Sequence, residues 1–299
     1  MENNIQVSFD ALLPSQMAGK AEGAGVTKAN LGPFRMFALA VLAGAFIGMG
    51  AIFSTTVTAG AKDLPFGMVK LIGGLAFTLG LILVVVGGAE LFTGNNLIVM
   101  AWASGKVSTW QLLRNWVVVY AGNFVGSILT AYAMFLSQQY TFGGGAIGLN
   151  ALNIAHTKVS LGFVQAVVLG VFCNALVCLA VWLCLSARST TDKVLAIIPP
   201  IAAFVAAGFE HSIANMYFIP LGLFVKAWAE PAFWGQIQKT ATDFPKLTWG
   251  NFFLVNLLPV TIGNIIGGSL MVGLVYWFIY LRPSWTGRPV ETPSAAAAH

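Results

Sequence analysis

The sequence has little charge. Of 299 residues only 8 % are Asp, Glu, Lys or Arg, and just three are histidine. A water-soluble protein of this length needs far more charged side chains to cover its core, so that class is excluded. Cysteine is scarce too. Cys173, Cys178 and Cys184 fall in one apolar stretch, an odd number without CxxC spacing. That pattern excludes a disulfide framework and a thiolate metal site, and leaves three buried thiols that pack as small hydrophobes. No run of basic residues interleaves with aromatics, so the net charge of +5 does not point to nucleic acid as a partner. An Asn-Pro-Ala sequence is missing as well, which argues against a water or glycerol channel of the aquaporin type.

What is abundant is apolar sequence: 58 % hydrophobic residues and a mean hydropathy of +0.81. Charge-free stretches run over 36–61, 71–89, 115–137, 159–187 and 247–281. Each reaches the roughly 20 residues that a helix needs to cross lipid. The chain is therefore expected to be an all-α membrane protein embedded in lipid. Residues 1–33 lack an apolar core ending in a small-residue cleavage site, so the first span is expected to insert without a cleaved leader. Six spans would put both termini on one side. All five arginines (Arg35, Arg114, Arg188, Arg282 and Arg288) then share that side, which the positive-inside rule makes cytoplasmic. The expected division is a cytoplasmic segment over 1–33, a six-span domain over 34–282 and a flexible cytoplasmic tail over 283–299.

The two halves of the domain, about 34–137 and 158–282, repeat one another. Phe37, Ala40, Val41, Gly44 and Phe46 recur as Phe163, Ala166, Val167, Gly170 and Phe172. Gly88, Glu90 and Asn95 recur as Gly208, Glu210 and Asn215; Asn115, Gly122, Asn123 and Gly126 recur as Asn256, Gly263, Asn264 and Gly267. With three spans per half, the second copy must enter the membrane upside down, and inverted repeats of this kind place a substrate path at their interface. The shared glycines fit close helix packing.

The chemistry gathers in the middle span of each half. Glu90 and Glu210 sit in mid-span, where an ionised side chain costs about 2.5–3.5 kcal/mol on insertion scales. Gly87, Gly88 and Gly94 around the first, and Pro199, Pro200, Gly208 and Pro220 around the second, predict helices that unwind and restart, with flanking arms too short to cross alone. Thr93 and Ser212 are the expected N-caps of the restarted halves. A half-helix beginning at the midplane aims N–H groups and a positive dipole end into the path, so an anion is the expected cargo. His211 lies in the second break and can donate to an anion or pass a proton near neutral pH. Glu90 and Glu210 are expected to brace the loops by accepting backbone N–H groups, with Asn95, Asn215 and Ser212 beside them. Lys158, at the start of the fourth span, either draws anions to the mouth or snorkels to the interface. One histidine and two separated carboxylates do not make the ligand cluster or activated nucleophile of an embedded enzyme, so neither an enzyme nor a cofactor is expected.

These segments, above all GAELFTGNNLIVMAWASGKV, NWVVVYAGNFVGS and GFEHSIANM, closely resemble the formate–nitrite transporter family over most of the chain. The resemblance implies an aquaporin-like arrangement of six spans, 3+3 inverted, with the second and fifth broken. It also implies a homopentamer in the bacterial inner membrane with a pore in each protomer. It places His211 and Thr93 at the pore centre and Asn174 and Lys158 at further polar positions. Phe77, Leu81, Leu91, Phe92, Val177 and Phe204 match its apolar constrictions. The implied cargo is formate or a related small monovalent anion, with proton coupling through His211. Nitrite, hydrosulfide and short-chain carboxylates are the alternatives.

Overall fold

The computed structural model describes residues 11–61 and 63–282. The expected tail over 283–299 with Arg288, the first ten residues of the N-terminal segment, and Lys62 lie outside the described residues. Among the described residues every regular element is helical. In chain order they are α1 (Pro14–Ala29), α2 (Pro33–Val57), α3 (Phe66–Gly87), α4 (Phe92–Asn95), α5 (Val99–Ala103), α6 (Thr109–Leu136) and α7 (Ala146–Lys158), then α8 (Phe163–Ser186), α9 (Thr190–Ala206), α10 (Ser212–Trp228) and α11 (Pro231–Ile237). A final helix covers Trp249–Tyr280.

Five of these, namely α2, α3, α6, α8 and the final helix, are long and apolar enough to cross a membrane. At about 1.5 Å per residue each exceeds the roughly 30 Å hydrocarbon core. Their surfaces carry large apolar side chains, among them Phe53, Val117, Leu129 and Leu254, which face outward where a soluble protein would place charge. In the interior, α2 packs on α3 and α6, α3 on α9, α8 on α9 and the final helix, and α10 on α6 and α7. Small residues set the spacing. A Cβ on Gly126 would run into the Val41 carbonyl, and one on Gly267 into the Val171 carbonyl, so these helices touch backbone to backbone.

The interruptions fall where the sequence put them, on the expected glycines but not on the prolines. α3 ends on Gly88 at φ +79° and α9 is followed by Gly208 at φ +75°. Both adopt the left-handed conformation that glycine tolerates at a helix end. Pro199 and Pro200 lie inside α9 and Pro220 inside α10, so the prolines do not make the break. Nor are all the arms short: α3 has 22 residues and is long and apolar enough to cross by itself.

Two further elements depart from expectation. The N-terminal segment holds α1, whose buried Ala18, Ala21 and Gly25 let it lie close against the rest of the bundle. The stretch before Lys158, which the sequence placed at the start of the fourth span, folds into a separate helix, α7, after Gly143, Gly144 and Gly145 turn the chain with positive φ. The matches between the first and fourth spans are also out of register. Glu90 N–H donates to the Leu39 carbonyl and Glu210 N–H to the Leu169 carbonyl. Leu39 thus corresponds to Leu169, and Gly44 to Asn174 rather than to Gly170, one helical turn from the sequence alignment.

Candidate functional site: a cavity that ends on His211

Each break is held by a brace of the same composition. In the first, Glu90 accepts from Lys28 Nζ at 2.7 Å and from Asn95 Nδ2 at 2.7 Å. Asn95 also donates to Asn115 Oδ1 at 2.9 Å, and Asn115 donates to the Lys28 carbonyl. In the second, Glu210 accepts from Lys158 Nζ at 2.8 Å, Asn215 Nδ2 at 2.7 Å and Asn256 Nδ2 at 3.1 Å. Asn215 donates to Asn256 Oδ1, and Asn256 to the Lys158 carbonyl. Side-chain donors thus satisfy the carboxylates, not the backbone N–H groups expected from sequence. The asparagines are fully buried, and an amide offers both the donors and the acceptor such a network needs.

A second pair of asparagines pins the restarted chain. Asn123 donates to the Ala40 and Glu90 carbonyls and accepts from Phe92 N–H at 2.9 Å. Asn264 donates to the Gly170 and Glu210 carbonyls and accepts from Ser212 N–H at 2.9 Å. The first N–H of each restarted helix is therefore already bonded inside the protein. Neither Thr93 nor Ser212 is the N-cap. Thr93 lies one residue inside α4, whose N-cap position is Leu91. Ser212 is the first residue of α10, and its hydroxyl is buried with no hydrogen-bond partner. The cap of α10 is His211, extended at φ −111° and ψ 114°, whose Nδ1 accepts from Ala214 N–H at 3.0 Å. Phe92, Ser212 and Ala214 N–H are thus bonded within the protein and are not open to an anion.

That cap decides the state of the imidazole. A backbone N–H always donates, so Nδ1 is unprotonated and the proton of the neutral ring sits on Nε2. Nε2 faces Thr93 Oγ1 at 3.0 Å, which leaves the threonine hydroxyl hydrogen free to point elsewhere. The Thr93 carbonyl accepts from Asn174 Nδ2 at 3.3 Å and from the Cys178 thiol at 3.3 Å. Asn174 also donates to Asn96 Oδ1 and the Asn264 carbonyl, so it ties the Thr93 turn to the final helix.

A cavity of about 320 Å³ opens from the α7 side and ends on His211. Phe77 and Phe204 form its inner wall, ring centroids 5.7 Å apart and edge to face, and Phe204 stacks on the His211 ring at 5.9 Å. Lys158 and Glu210 line it. Leu81, Leu91 and Val177 are buried in the core. They do not line this cavity, and neither does Asn174. Phe92 packs on Trp116 and Tyr120, facing an apolar groove between α6 and the final helix. On the opposite face α1 covers the bundle, tied down by Lys28 to Glu90, Lys106 to Glu22, and Arg114 to the Ala29 carbonyl.

The sequence profile described as Formate/nitrite transporter matches residues 15–278, nearly the whole of what has just been described. The chain belongs to the formate/nitrite transporter family. The formate/nitrite transporter relatives include "Formate channel FocA" of Escherichia coli strain K12, 52 % identical over 92 % of this chain and 96 % of its own length. "Formate channel FocA" of Haemophilus influenzae is 41 % identical over 91 % and 95 %. Among solved structures, one described as "Pentameric formate channel with formate bound" superposes with a TM-score of 0.80 at 50 % identity, covering 84 % of this chain and 98 % of its own. Another, "FNT family ion channel", gives 0.72 at 29 % identity over 89 % and 99 %.

Sequence reasoning missed Lys28 as the partner of Glu90, and it read Asn115, Asn123, Asn256 and Asn264 as repeat markers without a task. A usable signal was there: four asparagines in apolar spans, where an unpartnered amide is costly.

Proposed function

We propose that the chain carries formate, and related small monovalent anions, across the bacterial inner membrane through a pore in each protomer of a homopentamer. The observation that carries this reading is the cavity ending on His211, whose Nε2 faces Thr93 behind it, in a chain half identical to formate channels along nearly all of its length. Both termini are cytoplasmic. The interrupted α9–α10 pair counts as one span, giving six spans as 3+3 inverted halves; the two equivalent braces support this. They also extend each half to include α1 and α7, because Lys28 and Lys158 end those helices in the same role.

Formate enters from the cavity and meets the Nε2–H of His211 and the hydroxyl of Thr93. Phe77 and Phe204 on the near side, and Leu81, Leu91 and Val177 beyond, keep water out of the passage. The braces hold Glu90 and Glu210 in neutral ion pairs, so neither repels an arriving anion. A carboxylic acid of ordinary pKa, near 3 to 4, is almost wholly ionised at neutral pH, and an unpaired carboxylate loses heavily on leaving water. Donation from His211 offsets part of that loss. A net proton transfer requires an imidazolium, whose second proton on Nδ1 would confront the Ala214 N–H. Proton coupling therefore includes release of the α10 cap.

Flux of labelled formate into proteoliposomes tests this, measured against pH with and without a proton gradient. Competition by nitrite, hydrosulfide, lactate and acetate ranks the anions. Absence of formate flux in the intact pentamer would overturn the proposal.

A further inference from the structure

The sequence offered Lys158 as the cation that draws anions to the mouth, but its ammonium is bonded to Glu210 at 2.8 Å. The pair is neutral when viewed from the cavity. A second lysine lines the same cavity. Lys70, on the first turns of α3, is half-buried there with Ser54, Thr58, Asn153 and Thr157. It has no carboxylate or hydrogen-bond partner among the described residues. Its recorded neighbour is the Phe66 ring, 5.4 Å from Nζ. The side chains of Asn153 and Thr157, on α7, are likewise without a recorded bond. Three groups that can donate to an anion thus share one concave wall.

The repeat does not account for this lysine. Counting back equally from Gly88 and Gly208, the position matching Lys70 at the start of α9 is Thr190. This lysine therefore has no counterpart in the other half. Each brace is neutral, so among the described residues lining the cavity Lys70 supplies the uncompensated charge. A charge of one sign in a cleft with low-dielectric walls raises the local concentration of counter-ions.

We infer that Lys70 is the docking site for the anion at this mouth. A small monocarboxylate binds its ammonium, with Asn153 and Thr157 as further donors, before passing to His211. The inference rests on the anion-channel reading above and names the residue that collects the cargo on one side.

The test compares wild type, Lys70→Met and Lys70→Arg as intact pentamers in planar bilayers, with formate on one face or the other at low and high salt. Lys70→Met is expected to raise the half-saturating formate concentration about 5-fold from the α7 side. From the other face it stays at the wild-type value. The gain that wild type shows at low salt disappears, because the charge that salt screens is gone. Lys70→Arg stays close to wild type. Unchanged half-saturation and salt dependence in Lys70→Met would overturn the inference and leave Lys70 a snorkelling interface residue. If wild type conducts no formate, the functional reading fails instead, and the same comparison with nitrite as the permeant anion still decides the role of Lys70.

Discussion

Replacing Glu210 by Ala removes the acceptor for three donors at once: Lys158 Nζ, Asn215 Nδ2 and Asn256 Nδ2. Lys158 is only 15 % exposed, so its ammonium is left with little water to replace the carboxylate. Removing one partner of a buried ion pair costs about 3–5 kcal/mol, because the remaining charge is uncompensated. Asn215 and Asn256 each lose one of two acceptors, which adds to that. Removing both charges is milder: Glu210→Gln with Lys158→Met leaves no buried ion, and the pair together should lose about 1–2 kcal/mol. A pair whose lysine is exposed gives the contrast. Lys106 is 57 % exposed, and Glu22→Ala should cost under about 1 kcal/mol. Unfolding of the purified pentamer by sodium dodecyl sulfate in mixed micelles ranks the four proteins, with pentamer retention checked by size exclusion. With Glu210→Gln and Lys158→Met also made singly to close the cycle, the double variant should lose far less than the sum of the two single losses. If the double variant loses the sum of the two single losses, the brace is not the unit described here.

Glycine substitutions separate strain from collision. Around Gly208 an added Cβ meets open space, so Gly208→Ala should cost only the left-handed conformation, about 1–2 kcal/mol. Gly126→Ala drives a methyl into the Val41 carbonyl and should cost more, or abolish assembly, in the same unfolding assay. His156, outside the spanning helices, has its pKa lowered by burial first, then by Lys246 and Lys226. The folded state therefore favours the neutral ring. Stability should be full above the ordinary histidine value near 6.5 and fall as pH drops below it. His156→Gln should flatten that acid-side loss in thermal melts between about pH 5 and 8.

Membrane class, the positions of both breaks and the placement of Glu90, Glu210 and His211 at them were all readable from sequence, because charges and imidazoles are rare in apolar spans and stand out. The register of the first and fourth spans was not. Gly, Ala and Phe recur every few residues in such helices, so a match one turn out looks as good as the right one; the Glu90 and Glu210 N–H bonds to Leu39 and Leu169 fix it. The caps were misread for a related reason. Ser and Thr are the usual N-caps, but a histidine with an extended backbone caps as well through Nδ1, and no spacing rule reveals that. Lys28 was not legible as a brace residue, since nothing in one dimension brings it to Glu90.

The measurement closest to the central claim is formate flux against pH in proteoliposomes of wild type, His211→Asn and His211→Ala. Asparagine keeps an N-cap acceptor and an N–H donor but cannot titrate. His211→Asn is therefore expected to pass formate at a reduced rate with no pH dependence, and His211→Ala to lose most of the flux. Wild-type flux and pH dependence in His211→Ala would contradict the account.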